Sequence, residues 1–261
     1  MQVFGVCHIS MAPCRSEPSD RSEMVTQLLF GDVFEVLEEK DSWHRVRLEW
    51  DHYECWIDRK QYIPVSKATF ENLRDNPAPV AIDLISLLTD LKSGHSFPVV
   101  AGSSMPFWYN GEVRIEEHLF RYDGMVRMFG QQPTRDSIAE TAFTYLNAPY
   151  LWGGRSPLGI DCSGFVQAVF KQNGIRIKRD AWMQSEIGEA YSFVEEAQPG
   201  DLAFFDNEEG RITHVGIVVG ENRIIHASGK VRLDHYDHYG IFTPERGGYT
   251  HNLRIIKNVF I

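Results

Sequence analysis

Cysteine is scarce in this chain: four residues in 261, Cys7, Cys14, Cys55 and Cys162, scattered with no C-x-x-C pair. That is too sparse for a disulfide scaffold, and it lacks the close ligand pairs of a structural zinc site. Positive charge is also in deficit, the formal balance being -10 at pH 7. A nucleic-acid partner or an anionic membrane surface would want a basic face, so both are disfavoured. No apolar run approaches the roughly 20 residues needed to span a bilayer. Met1 to Pro18 lacks the charged-then-apolar pattern of a secretory leader. These absences predict a reduced, cytoplasmic protein with neither nucleic acid nor membrane as partner; a monomer with no metal and no cofactor is the accompanying expectation. A periplasmic location would follow only from a leader missing from the sequence.

What is present is ordinary for a soluble globular protein, with 43% hydrophobic and 24% charged residues, and the length leaves room for two or three domains. From about Gly5 to Val65, short apolar runs alternate with turn signals: Val33 to Leu37 after Gly31-Asp32, Trp43 to Leu48 after Asp41-Ser42, then Cys55-Trp56-Ile57 before Pro64. This spacing predicts a small β-barrel over residues 1–66. Phe70 to Pro79, polar and containing Pro77 and Pro79, reads as a linker. A second small barrel is expected within 67–129, where Asn110-Gly111 between apolar runs signals a tight hairpin. Ile82 to Leu91 has helical spacing. From 130 to 261 the texture changes to helices followed by strands, an α+β domain. Thr134 to Asn147 forms one helix capped by Thr134 or Asp136, and Cys162 starts another that stops at Asn173-Gly174. Leu202–Phe205, Thr213–Val219 and Arg223–Ala227 read as strands, with the apolar run Val215–Val219 at the centre of the sheet.

The chemistry concentrates on Asp161-Cys162-Ser163-Gly164-Phe165. If Asp161 caps the helix, Cys162 is its first residue, beside unpaired amides and the positive end of the dipole. That field favours thiolate, the attacking species. Downstream, His214 and His226 lie twelve residues apart on a predicted β-hairpin turning near Gly220-Glu221-Asn222. One even register sets them directly opposite and the next makes them diagonal neighbours. Both put the two rings on one face, whereas an odd register would separate them. In that arrangement His214 takes the thiol proton, and His226 holds the far ring nitrogen of His214. The amide of Cys162 and the hydroxyl of Tyr150, in the glycine-rich loop Tyr150 to Gly154, are candidate oxyanion donors. A zinc site on Cys162, His214 and His226 is the chemical rival, disfavoured because these residues are widely spaced.

These residues resemble the NlpC/P60 family of cell-wall cysteine peptidases. The matches run Pro149 to Gly154, Asp161 to Val166, Gln198-Pro199-Gly200-Asp201-Leu202, His214 to Val218 and Ile225-His226-Ala227-Ser228. The resemblance implies a circularly permuted papain-like domain over 130–261, with Cys162 as nucleophile, His214 as base and His226 as the third, polar member. Upstream, Ser22 to Gln27, Phe30-Gly31-Asp32 and Tyr53 to Trp56 are similar to bacterial SH3 domains of a murein-peptide recycling branch. That likeness implies two SH3-like β-barrels before the catalytic domain. The implied activity is hydrolysis of the γ-D-Glu to L-diamino acid bond in murein peptides with a free amino-terminal L-Ala. Asp161, Ser163, Glu23 and Tyr53 are the positions that would recognise the free amine. In place of the Ser or Thr that many relatives carry after the basic residue, this chain reads Arg179-Asp180-Ala181. The competing readings are a non-catalytic module that binds cell-wall peptide, and a related amidase or acyltransferase on the same fold.

Overall fold

Turn residues cut the amino-terminal region into seven short strands: β1 (Val3–Cys7), β2 (Met11–Arg15), β3 (Met24–Leu29), β4 (Val33–Lys40), β5 (Trp43–Leu48), β6 (Glu54–Asp58) and β7 (Tyr62–Val65). In this computed structural model, which describes residues 2–260, they form one antiparallel sheet in the order β3-β2-β6-β5-β4-β1-β7. Asp41 adopts a φ of 54°, which lets β4 and β5 turn tightly into each other. Alternate side chains such as Val46, Leu48, Ile57 and Phe34 fill the interior.

The segment expected as a linker is a helix, α1 (Lys67–Asp75). Ser66 caps it, its hydroxyl accepting from the Thr69 amide at 3.1 Å. Phe70 and Leu73, one turn apart, are buried, and the Phe70 ring stacks on Phe4 at 4.3 Å. Polar composition concealed a short amphipathic helix, and Pro77 and Pro79 lie just beyond its end. The helix expected over Ile82 to Leu91 is instead strand β9 (Ile85–Asp90), preceded by β8 (Val80–Ala81). It is paired on both sides, by β10 (Ser96–Val100) and β12 (His118–Tyr122), with β11 (Glu112–Ile115) beyond. Ladder pairing on two flanks overrides a local helical spacing. The Asp90 carboxylate then takes the Lys92 and Ser93 amides, closing the turn into β10. β13 (Val126–Arg127) pairs with β8. Val6 from the first sheet and Phe30 from the turn after β3 join Leu88, Val99, Val113 and Ile115 in one core.

By its contacts the chain divides into two units, Met1–Gln131 with Trp152–Ser156, and Gln132–Leu151 with Pro157–Ile261. The short stretch that includes β14 (Arg155–Ser156) belongs to the first. There the buried Arg155 guanidinium donates to the Gln27 carbonyl at 2.8 Å.

The second unit contains α2 (Arg135–Thr144), β15 (Gly159–Ile160), α3 (Cys162–Gln172), α4 (Ala181–Gln184) and the strands β16 (Glu189–Ala190), β17 (Leu202–Asp206), β18 (Ile212–Gly220), β19 (Arg223–Ser228), β20 (Lys230–Tyr236), β21 (Gly240–Thr243) and β22 (Gly248–Asn258). Thr134 caps α2 in a reciprocal box with Ser137. The sheet runs β16-β22-β17-β18-β19-β20-β21, with β18 central as expected, and an added β21–β22 pairing closes six of its strands into a barrel. Ala203, Phe205, Val218, Ile224, Tyr236, Ile241 and Ile256 fill it. Among the described residues, no helix is long and apolar enough to cross a membrane.

Candidate active site

Asp161 caps α3, as its position predicts: its Oδ1 accepts the Gly164 amide at 2.7 Å. Cys162 therefore opens the helix, and its sulfur is hydrogen-bonded by the backbone of Val215, next to His214, and of Ser163. The expected electrostatics do not hold. Burial, followed by the charge of Asp161, pushes the thiol up to about 12 and outweighs the backbone donors and Arg179. Loss of water and the nearby carboxylate thus favour the protonated thiol at rest.

β18 and β19 meet with Gly216 opposite His226, Ile217 opposite Ile225 and Val218 opposite Ile224. This is the even register that makes His214 and His226 diagonal neighbours. A Cβ on Gly216 would come within 2.6 Å of Ile224 Cδ1 and 2.9 Å of His226 Cβ, so that position has no room for a side chain. The two rings stand at 87° with His214 Nε2 2.8 Å from His226 Nδ1. His226 Nε2 lies 3.0 Å from Asp234 Oδ2, and Arg232 donates from Nη2 to Asp234 Oδ1 at 2.9 Å.

The network sets the tautomers. Burial raises the Asp234 carboxyl, but hydrogen bonds from His226 and Arg232 outweigh it and hold the group below the usual carboxylate range. An ionised Asp234 only accepts, so His226 Nε2 carries a proton. Burial lowers His226 against the pull of Asp234, so its ring is neutral and its Nδ1 accepts. His214 then donates from Nε2, leaving its Nδ1 unprotonated and able to take a proton. Burial, then the neighbouring charges of His226 and His251, holds His214 well below its ordinary 6.5. Both nitrogens of His226 are engaged, which leaves it no lone pair for a metal.

Tyr150 is held up to about 12 by burial and then by the charges of Cys162 and Asp161, so its hydroxyl stays a donor. Its amide donates to the Gly229 carbonyl at 3.1 Å. Asp161 and Ser163 are tied to the buried Arg179. Its Nη2 is 2.7 Å from Asp161 Oδ2, and its Nη1 is 2.8 Å from Ser163 Oγ. The carboxylate expected to meet a substrate ammonium is thus already paired with a guanidinium. Glu23 and Tyr53 belong to the first unit, where Glu23 accepts from the Trp152 indole at 2.6 Å and Tyr53 packs on the core of the first sheet.

Four contributors went unread in the sequence: Arg179, Arg232, Asp234 and His251. The Ser228-Gly229 turn into an alternating run could have placed Asp234 on the strand beside His226. His251 gave no local signal. It arrives on β22 through barrel closure and stacks on His214 at 4.2 Å and 26°.

Residues 147–245 match the NlpC/P60 family, and residues 14–61 match the bacterial dipeptidyl-peptidase Sh3 domain. A gamma-D-glutamyl-L-lysine dipeptidyl-peptidase of Bacillus subtilis is 32% identical over 226 residues, 77% of this chain and 71% of that protein. Dipeptidyl-peptidase 6 of Lysinibacillus sphaericus is 27% identical over 248 residues, 84% of this chain and 85% of that protein. A crystal structure of an NlpC/P60 family protein from Bacillus cereus superposes with a TM-score of 0.84 at 21% identity, covering 99% of this chain and 100% of that one. At that identity the likeness speaks for the fold alone.

Proposed function

This chain belongs to the NlpC/P60 family, and from that premise we propose that it is a cysteine peptidase of murein peptides. The bond cut joins γ-D-glutamate to the following L-diamino acid, in peptides that begin with a free L-Ala. The observation that carries this reading is the relay from Asp234 through His226 to His214, set against a helix that begins with Cys162.

The proton positions dictate the chemistry. The resting pair is neutral, so the Cys162 proton passes to His214 Nδ1 as sulfur attacks the γ-carbonyl carbon, rather than beforehand. The oxyanion is met by the Cys162 amide and the Tyr150 hydroxyl, both donors. His214, now an imidazolium stabilised through His226 by Asp234, returns the proton to the departing α-amine as the C–N bond breaks. A thioester between Cys162 and the glutamyl γ-carbon remains. Water then gives a proton to His214 and its hydroxyl to the acyl carbon, and the thiol is regenerated with release of L-Ala-γ-D-Glu. Asp161, held by Arg179, positions the helix and the nucleophile, and Ser163 shares that guanidinium.

We assign 1–66 and 67–129 to two SH3-like domains and 130–261 to a catalytic domain with permuted papain-like order, in which the nucleophile helix precedes the barrel. The cellular task is recycling of free wall peptides in the cytoplasm. Mass-spectrometric product analysis tests the reading. L-Ala-γ-D-Glu-diamino acid tripeptides should give L-Ala-γ-D-Glu and the free diamino acid, Cys162→Ala should give neither, and acetylating the Ala amine should suppress cleavage. Intact tripeptide after prolonged incubation with the wild type would overturn it.

A further inference from the structure

The open end of the six-stranded barrel is polar and holds a cavity of about 320 Å³ walled by His226 and His251 and rimmed by Arg232, Arg246, Ser228 and Thr243. The relay residues His226 and Asp234, with Arg232, also line this space, and Arg246 lies beyond them on the rim. The charges of the cavity do not cancel evenly. Arg232 is committed to Asp234 and to Glu245, at 2.9 Å from each. Arg246, on the rim, has no carboxylate partner among the described residues, although its charge reaches the His251 ring. An uncompensated guanidinium above hydroxyls in a concave site matches a carboxylate, which accepts from a planar fork of donors.

Position in the reaction names the source of that carboxylate. The departing amine takes its proton from His214, so the residue it belongs to lies against that ring. His214 is 4.2 Å by centroid from His251 and 5.0 Å from His226, the two walls of the cavity. In an α-amino acid the carboxylate stands one carbon from the amine, and in diaminopimelate a second carboxylate ends the side chain. Either would extend from the His214 ring toward the side of the site that His251 and His226 wall.

We propose that the barrel mouth is the leaving-side specificity pocket and that Arg246 reads a carboxylate of the departing diamino acid. This rests on the peptidase reading above and adds the substrate feature selected on the leaving side.

Three peptides separate the sources: L-Ala-γ-D-Glu-L-Lys with a free carboxylate, the same peptide amidated, and the diaminopimelate peptide amidated at its α-carboxylate, which keeps only the side-chain carboxylate. Wild-type kcat/KM should favour one carboxylate-bearing peptide over the Lys amide by about fivefold or more, as for one partly exposed charge-assisted contact. The preferred peptide identifies which carboxylate is read. In Arg246→Gln the preference should shrink below twofold through KM, and Arg246→Lys should restore part of it. Arg246 is exposed in a short turn, so these variants fold. Equal wild-type rates on all three peptides, or a preference unchanged in Arg246→Gln, would overturn the inference alone. Failure of the wild type to cleave any of them would overturn the peptidase assignment beneath it.

Discussion

His226 Nε2 lies 3.0 Å from Asp234 Oδ2, and this contact decides where each proton in the site resides. Without an anion there, His226 has no preference between its two neutral tautomers, and His214 Nδ1 is no longer reliably the free base.

Asp234→Asn therefore lowers kcat far more than it changes KM. Tautomer loss at an analogous acid in the serine-protease triad costs about four orders of magnitude. Here a loss of at least roughly a hundredfold is expected, because Asn can still donate or accept but no longer stabilises an imidazolium. Steady-state kinetics on a tripeptide substrate check it, and a kcat within twofold of wild type would sink the relay.

The neutral resting pair predicts sluggish alkylation. With the thiol held up to about 12 by burial and Asp161, Cys162 should react with iodoacetamide at pH 7 no faster than the buried Cys7. Peptide mapping after timed labelling reads this directly. Rapid, selective modification of Cys162 would mean that a thiolate–imidazolium pair already exists at rest.

The acid limb of kcat/KM should fall below the ordinary imidazole range. Activity needs His214 neutral, and burial with two neighbouring imidazoles opposes its protonation, so lowering the pH through 6.5 leaves the base intact. A profile on free enzyme with its acid midpoint at or above 6.5 would contradict this.

Stability should decline on acidification in a window set by histidine. Burial, then the charge of His226, holds His251 down to about 4 against its ordinary 6.5. Between those values the unfolded chain binds a proton that the folded chain refuses, so unfolding becomes easier as pH falls and harder as it rises. His214 and His226 act in the same direction. Denaturation midpoints at pH 7 and pH 5 should differ less in His251→Phe, which keeps a ring on His214 but removes one titrating group. An identical pH response in that variant would remove His251 from the account.

Local chemistry was legible where it acts locally. Asp161, Thr134 and the stop at Asn173-Gly174 are caps and terminators whose effects reach only a turn of helix, and the parity of the β18–β19 pairing follows from the period of a strand. Effects needing distant partners were not. Ile82 to Leu91 carries helical spacing yet forms β9 because strands on both flanks claim its backbone. Phe70 and Leu73 looked like part of a polar linker because the surface they cover lies elsewhere in the sequence. The thiol was misjudged because the helix dipole can be read from one segment, whereas desolvation is imposed by the whole domain. His251 belongs with these, being delivered by the ring closure of six strands.

That closure also joins the integrity of the sheet to the shielding of the base. The strand Gly248–Asn258 seals the cylinder against both β17 and β21 and brings His251 onto His214. Without this segment β17 and β21 would each lose a pairing partner and His214 would lose the ring stacked on it. Deleting the segment would therefore open the cylinder and bare the base together, so the last long strand serves the catalytic ring as well as the sheet.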